Sequence, residues 1–217
     1  MKTFQLEGQP RVELGKKSVK SLRRQGLIPA ILYGGETVEL PYEGKLEKGE
    51  NLVENQGKGL IVSNFVVTFD AVRKLIFTPE IFLVELTVNG KTRKAILKAL
   101  QAHPVTEEIL HLDFLEVFDQ KPIVIEVPVV LEGFAVGVRA GGKLSLVTRK
   151  LRSRGLIGNI PENLKINVES LELGKSIQVK NLSFDNLELL NGPENVVCTV
   201  AVTRGSIAAA ATEAAVK

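Results

Sequence analysis

Few residues in this chain are equipped for chemistry, and they are unevenly placed. There are two histidines, His103 and His111, and one cysteine, Cys198. His111 precedes Asp113 by two positions in Leu110-His111-Leu112-Asp113-Phe114. In an extended strand that spacing puts both polar side chains on one face and turns Leu112 and Phe114 to the core. Three readings are open for the pair. It can be solvated surface, it can hydrogen-bond the bases or ribose hydroxyls of a nucleic acid, or it can be a His–Asp pair orienting a nucleophile. No Gly-x-Ser-x-Gly elbow accompanies it. Cys198 lies in an apolar strand pattern, where a buried, unreactive thiol is expected. A metal site is not expected from two histidines that lack His-x-x-x-His spacing and a lone cysteine.

A second group of candidates is cationic. Lys16, Lys20, Arg23 and Arg24 recur at three- and four-residue spacing, so on a helix they point one way. Such a face can pair with phosphates, and arginine can also fork onto base edges. A solvated helix face accounts for the same pattern. A glycine-rich run, Gly133-Phe134-Ala135-Val136-Gly137-Val138-Arg139-Ala140-Gly141-Gly142, could cradle phosphate. It lacks the Gly-Lys-Ser/Thr of a P-loop and the Gly-x-Gly-x-x-Gly of a dinucleotide fold, so a turn linking two strands is expected.

The elements that must position these residues are mostly strands. Phe4 to Glu7 alternates, and Ile81 to Val88 is rich in β-branched and aromatic residues. Asn89-Gly90 follows, a hairpin signal because a type I′ turn needs positive φ at both central positions. Thr92 to Leu100 is the expected return strand. Ala30 to Tyr33, Ile123 to Leu131, Leu164 to Val168, Ser176 to Val179 and Val196 to Val202 complete the set. Pro128 suggests an edge or a bulge. Lys17 to Gln25 reads as a helix with Val19 and Leu22 inward and Gly26 as its stop. Asp70 to Leu75 reads as a second short helix with Asp70 as N-cap. The stretch Tyr42 to Gly59 reads as an acidic mobile loop or insertion, and the Ala-rich tail 205–217 as a frayed end.

Composition bounds the class. The chain has 217 residues, 44% hydrophobic and 24% charged, which excludes a largely disordered chain or a disulfide-stapled miniprotein. No segment approaches the ~18–20 apolar residues that span a bilayer. A cytoplasmic protein with no membrane partner is expected. The formal charge of +3 is a sum of opposed blocks. Residues 1–35 hold seven Lys/Arg and two acids, 36–56 hold two bases and six acids, and 73–98 hold six bases and two acids. Residues 99–120 hold five acids and no base, and 139–154 hold six bases and no acid. Charge acts over a Debye length of about 8 Å, so such blocks matter locally.

Read together, these motifs resemble a known family. Arg11, Gly15-Lys16 and Leu22-Arg23-Arg24-Gln25-Gly26-Leu27-Ile28-Pro29-Ala30-Ile31-Leu32-Tyr33-Gly34-Gly35 resemble the N-terminal signature of bacterial large-subunit ribosomal protein 25. Lys98 to Pro104 and His111-Leu112-Asp113-Phe114 resemble its second signature. Val127-Pro128-Val129, Gly137 to Leu144, Asn159 to Glu162 and Leu171 to Gly174 resemble the extra C-terminal domain of its long members, the Ctc or general stress type. The resemblance implies a mainly β chain with a few short helices. An N-terminal β-barrel RNA-binding domain spans 1–118, and a second β-rich domain spans 122–204. It implies 5S ribosomal RNA as partner, a place in the large ribosomal subunit beside other ribosomal proteins, and neither enzymatic activity, cofactor nor small-molecule substrate. The RNA-binding residues it implies are Arg11, Arg23, Arg24, Tyr33, His111 and Asp113, with Lys16, Lys20 and Gln101 beside them. Lys20 and Ser21 stand where the family often has a second arginine pair. The alternative under the same resemblance is a stress-induced RNA-binding factor that joins ribosomes transiently.

Overall fold

The computed structural model describes residues 1–35, 37–39, 44–55 and 58–203. Its contacts divide the chain into two compact units, Met1–Lys121 and the part from Pro122 onward.

The first unit runs β1 (Lys2–Pro10), α1 (Lys16–Arg24), β2 (Leu27–Tyr33), β3 (Thr37–Glu39), β4 (Glu50–Asn55), β5 (Lys58–Thr68), α2 (Phe69–Phe77), β6 (Phe82–Val88), β7 (Lys91–Ala102) and β8 (Ile109–Glu116). Strand order is β1-β6-β7-β8-β2-β5, and pairing of Gln9 and Pro10 with Val66 and Phe65 joins β5 back to β1. Six strands thus close into a barrel, which leaves no open edge around the ring. Strand β5 is long enough to serve twice. Its first half lies between β3 and β4, and its second half between β2 and β1. The core follows from alternation: Leu6, Ala30, Leu32, Phe65, Val67, Val84, Leu86, Leu112 and Phe114 are buried, and the Phe65 and Phe114 rings lie 5.7 Å apart.

The local signals act as the residues dictate. Asn89 and Gly90 both have positive φ, 54° and 76°, and turn β6 into β7 with Val88 opposite Lys91. Gly26, at φ 73°, stops α1 and reverses the chain into β2. Two expectations are corrected. Asp70 is not the cap of α2: the helix begins at Phe69, the extended residue before it is Thr68, and Asp70 sits in the first turn. There its charge still complements the helix dipole. The acidic stretch 42–59 is not a loop throughout, because Glu50–Asn55 forms β4 and pairs along β5. Glu50, Asn51 and Glu54 interrupt the apolar pattern around Leu52 and Val53, so the segment does not read as a strand. Tyr42 and the tail 205–217 lie outside the described residues.

The second unit contains β9 (Ile123–Glu132), α3 (Val136–Arg139), β10 (Lys143–Leu146), β11 (Lys150–Gly155), β12 (Leu164–Asn167), β13 (Ser176–Gln178), β14 (Glu188–Leu189) and β15 (Val196–Ala201). They form sheets β12-β9-β11-β14 and β10-β15-β13. Ala135, Val168, Leu171, Cys198 and Val200 fill one core. Pro128 is on a central strand rather than an edge. β9 pairs β11 up to Pro128 and β12 from Val129 onward, so the proline's missing N–H falls where the strand changes partner. The glycine-rich run links β9 to β10, with the single turn α3 in its middle.

Candidate functional site

Three neighbouring barrel strands, β7, β8 and β2, build the site. On β8, Leu112 and Phe114 are buried and His111 and Asp113 face outward, about a quarter exposed (28% and 27%). His111 Nδ1 lies 2.6 Å from Asp113 Oδ1. An ionised carboxylate only accepts, so Nδ1 carries the shared hydrogen and Nε2 is left for a ligand. Across the parallel β2–β8 pair, Asp113 stands opposite Ile31, and Tyr33 two residues on is opposite Leu115. Burial, with a smaller contribution from the Asp113 carboxylate, pushes the Tyr33 phenol above its usual value. Its hydroxyl therefore remains a donor well into alkaline solution.

Gln101 joins this face through an irregular register. Leu97 of β7 pairs with Phe114, but Ala99 pairs with Asp113, so Lys98 is an extra residue. A bulge of this kind re-aims the side chains beyond it. Strict alternation from Leu97 would turn Gln101 to the same side as Leu97. Instead Gln101 stands opposite His111, and the small Ala99 stands opposite Asp113. A second irregularity skips Leu110 on β8. The Leu110 carbonyl accepts a hydrogen bond of 2.8 Å from Arg23 Nη2. The last turn of the basic helix is thereby fixed to the strand that carries His111 and Asp113.

Helix α1 shows Lys16, Lys20, Arg23 and Arg24 exposed, with Val19 and Leu22 half-buried beneath. Among the described residues none of these four cations, nor Lys17, makes an ion pair. Arg23 and Arg24 also sit at the negative end of the helix dipole, which favours them there. The remaining sequence candidate, Arg11, follows β1, which is three strands from β8 in either direction round the ring. Its Nε donates to the Glu13 carbonyl at 2.9 Å. The structure therefore gathers Arg23, Tyr33, Gln101, His111 and Asp113, continues them along α1, and leaves Arg11 in the connection between β1 and α1. Sequence reasoning missed the Leu110 carbonyl and the placing of Ala99 opposite Asp113, because both depend on bulges that no residue pattern announces.

The other cationic blocks look different in space. Lys91 Nζ meets Glu47 Oε1 at 2.5 Å, and Arg93 Nη2 meets Glu50 Oε1 at 2.9 Å. In the second unit Lys150, Arg152 and Arg154 alternate outward on β11. Arg152 stands opposite Glu126, and Arg154 lies 3.8 Å from Glu188. The acid-free run 139–154 is thus partly neutralised by strands from elsewhere in the sequence. Cys198 is fully buried, and burial pushes its thiol up, so it is no nucleophile. No group of three or more metal-ligating side chains is present among the described residues.

What this face can do follows from its groups. Unpaired cations bind phosphate oxygens and fix register. Gln101, beside the partly exposed His111 and Asp113, can hydrogen-bond polar edges, and a carboxylate in that position can accept only from an amino, imino or hydroxyl donor.

Comparison with known proteins gives two family matches. Residues 6–114 match the ribosomal L25p family and residues 122–204 match the C-terminal domain of ribosomal protein TL5. The chain is 53% identical to the large ribosomal subunit protein bL25 of Porphyromonas gingivalis, over 97% of this chain and 98% of the relative. It is 50% identical to bL25 of Azobacteroides pseudotrichonymphae, over 94% and 96%. With bL25 of Parabacteroides distasonis it shares 48%, over 95% and 96%.

Proposed function

Because this chain belongs to the ribosomal L25p family and carries a TL5-type C-terminal domain, we propose that it is a structural, non-enzymatic component of the large ribosomal subunit whose N-terminal barrel binds 5S ribosomal RNA. The observation that carries the RNA assignment is the unpaired cationic face of α1, tied by Arg23 to the strand bearing His111 and Asp113. Lys16, Lys20 and Arg24 grip phosphates and set the register. Arg23, Gln101, His111 and Asp113 supply polar contacts whose geometry is set by the β7–β8 pair, and Tyr33 stacks on a base or donates through its hydroxyl. Stacking of this kind is worth roughly 1–3 kcal/mol per base. The shallow convex wall of a barrel suits a wide, shallow groove displaying base edges and 2′-hydroxyls. Arg11 contributes from the connection that leads into α1, where its Nε and the Ser18 hydroxyl both donate to the Glu13 carbonyl.

The test is a titration of 5S ribosomal RNA with the full chain, beside an unrelated RNA of equal length, at several salt concentrations. Tight binding to 5S RNA that weakens linearly in log salt is expected. Equal affinity for the two RNAs would overturn the assignment.

A further inference from the structure

The acidic segment around β4 is not used by the RNA contacts, yet it is built into the barrel. Glu50 is only 10% exposed and pairs with Arg93, which also donates to the buried Ser63 hydroxyl at 3.2 Å and lies 3.9 Å from Glu116. Glu47 holds Lys91, and the Lys48 carbonyl accepts from Asn89 Nδ2 at 2.9 Å. Gly49 between them sits at φ 84°, and a Cβ there would come within 2.6 Å of the Asn64 carbonyl. Its own carbonyl accepts from Asn64 N at 2.7 Å, and the Asn64 carbonyl accepts from Arg11 N at 2.9 Å. The segment is therefore held by backbone as well as by charge.

Lys91 and Arg93 belong to a block of six bases and two acids, 73–98, that would otherwise rival α1 for phosphate. They lie at the far end of β7 from Gln101 and the Arg23 joint of α1, eight to ten residues or roughly 30 Å along the strand, with Arg93 on the Glu116 side of Asp113. That exceeds the Debye length of about 8 Å, so nothing at the α1 face can offset them. Only a local acid can.

We infer that Glu47 and Glu50 determine specificity by masking Lys91 and Arg93, which denies RNA a second phosphate site at the wrong end of the barrel. This rests on the RNA-binding reading above. The test compares wild type, Glu47→Gln, and Glu47→Gln/Glu50→Gln for binding to 5S RNA and to a length-matched unrelated RNA across salt. The double variant is expected to bind the unrelated RNA several-fold more tightly, with a salt slope steeper by about 1–2, since each phosphate contact contributes about 0.9. Affinity for 5S RNA should change less than twofold. Adding Lys91→Ala and Arg93→Ala to that background should return the unrelated RNA to wild-type binding. A purely structural role predicts instead a lower melting temperature and equal loss for both RNAs, and either that or an unaltered slope overturns the inference. Glu47→Gln alone, at an exposed pair, keeps the test readable if the double variant does not fold; a steeper slope on unrelated RNA is again expected, and an unchanged one counts against masking. If wild type does not prefer 5S RNA, the functional reading fails, while the slope on unrelated RNA still reports masking separately.

Discussion

Replacing Arg23 tests the interface at its joint. Its guanidinium gives one of five N–H donors to the Leu110 carbonyl and leaves the others to a ligand. Hydrogen bonds to charged groups are worth about 1.5–3 kcal/mol. Arg23→Ala should therefore weaken binding to 5S RNA by roughly 10- to 150-fold, at about 1.4 kcal/mol per tenfold. The log–log salt slope should become shallower by about 0.9, one phosphate contact's share. Arg23→Lys keeps the charge and loses the planar fork, so it should retain the slope yet bind less tightly than wild type. Both residues at this joint are solvent-accessible, so folding stability should change by no more than about 1 kcal/mol. Filter binding or fluorescence anisotropy across a salt series, with a denaturant melt as control, reads all three quantities. Arg23→Ala with wild-type affinity and slope and an intact melt would refute the interface. A lysine variant equal to wild type would refute the role given to the fork.

Two further outcomes follow from particular residues. Burial and the Asp113 carboxylate raise the Tyr33 phenol above its ordinary 10.0, so the folded chain keeps a proton that the unfolded chain releases. Stability should fall as pH rises from about 10 toward the folded value. Tyr33→Phe should remove that dependence, and Asp113→Asn should bring the phenolate absorbance transition nearer its ordinary position. A Tyr33 phenol titrating at its ordinary value would contradict the placement. In the second unit a Cβ on Gly137 would sit 2.6 Å from the Leu173 nitrogen, a backbone atom that cannot rotate away. Gly137→Ala should therefore destabilise that unit by about 1–3 kcal/mol in a thermal or denaturant melt, and an unchanged melt would show that α3 is loosely seated.

Features that depend on neighbours along the chain could be read from the residues alone. Alternation in Leu110 to Phe114 put His111 and Asp113 outward. The Asn89-Gly90 pair turned the hairpin because Asn and Gly tolerate the positive φ that a type I′ turn needs at both positions, and three- and four-residue spacing put the α1 cations on one face with Gly26 ending the helix. The motif resemblance supplied the barrel and the family, which periodicity alone does not distinguish from other β folds. Tertiary structure decided whatever depends on pairing partners. The extra residue at Lys98 swung Gln101 round to face His111, and the skipped Leu110 put its carbonyl within reach of Arg23. Pairing along β5 made a strand of an acidic stretch that reads as a loop. Charge was legible only as blocks. Which block stays bare follows from the fold, because Coulomb attraction falls with distance in space and is screened within about 8 Å. Among the described residues the α1 cations make no ion pair, while Lys91, Arg93, Arg152 and Arg154 meet acids brought in from elsewhere in the chain.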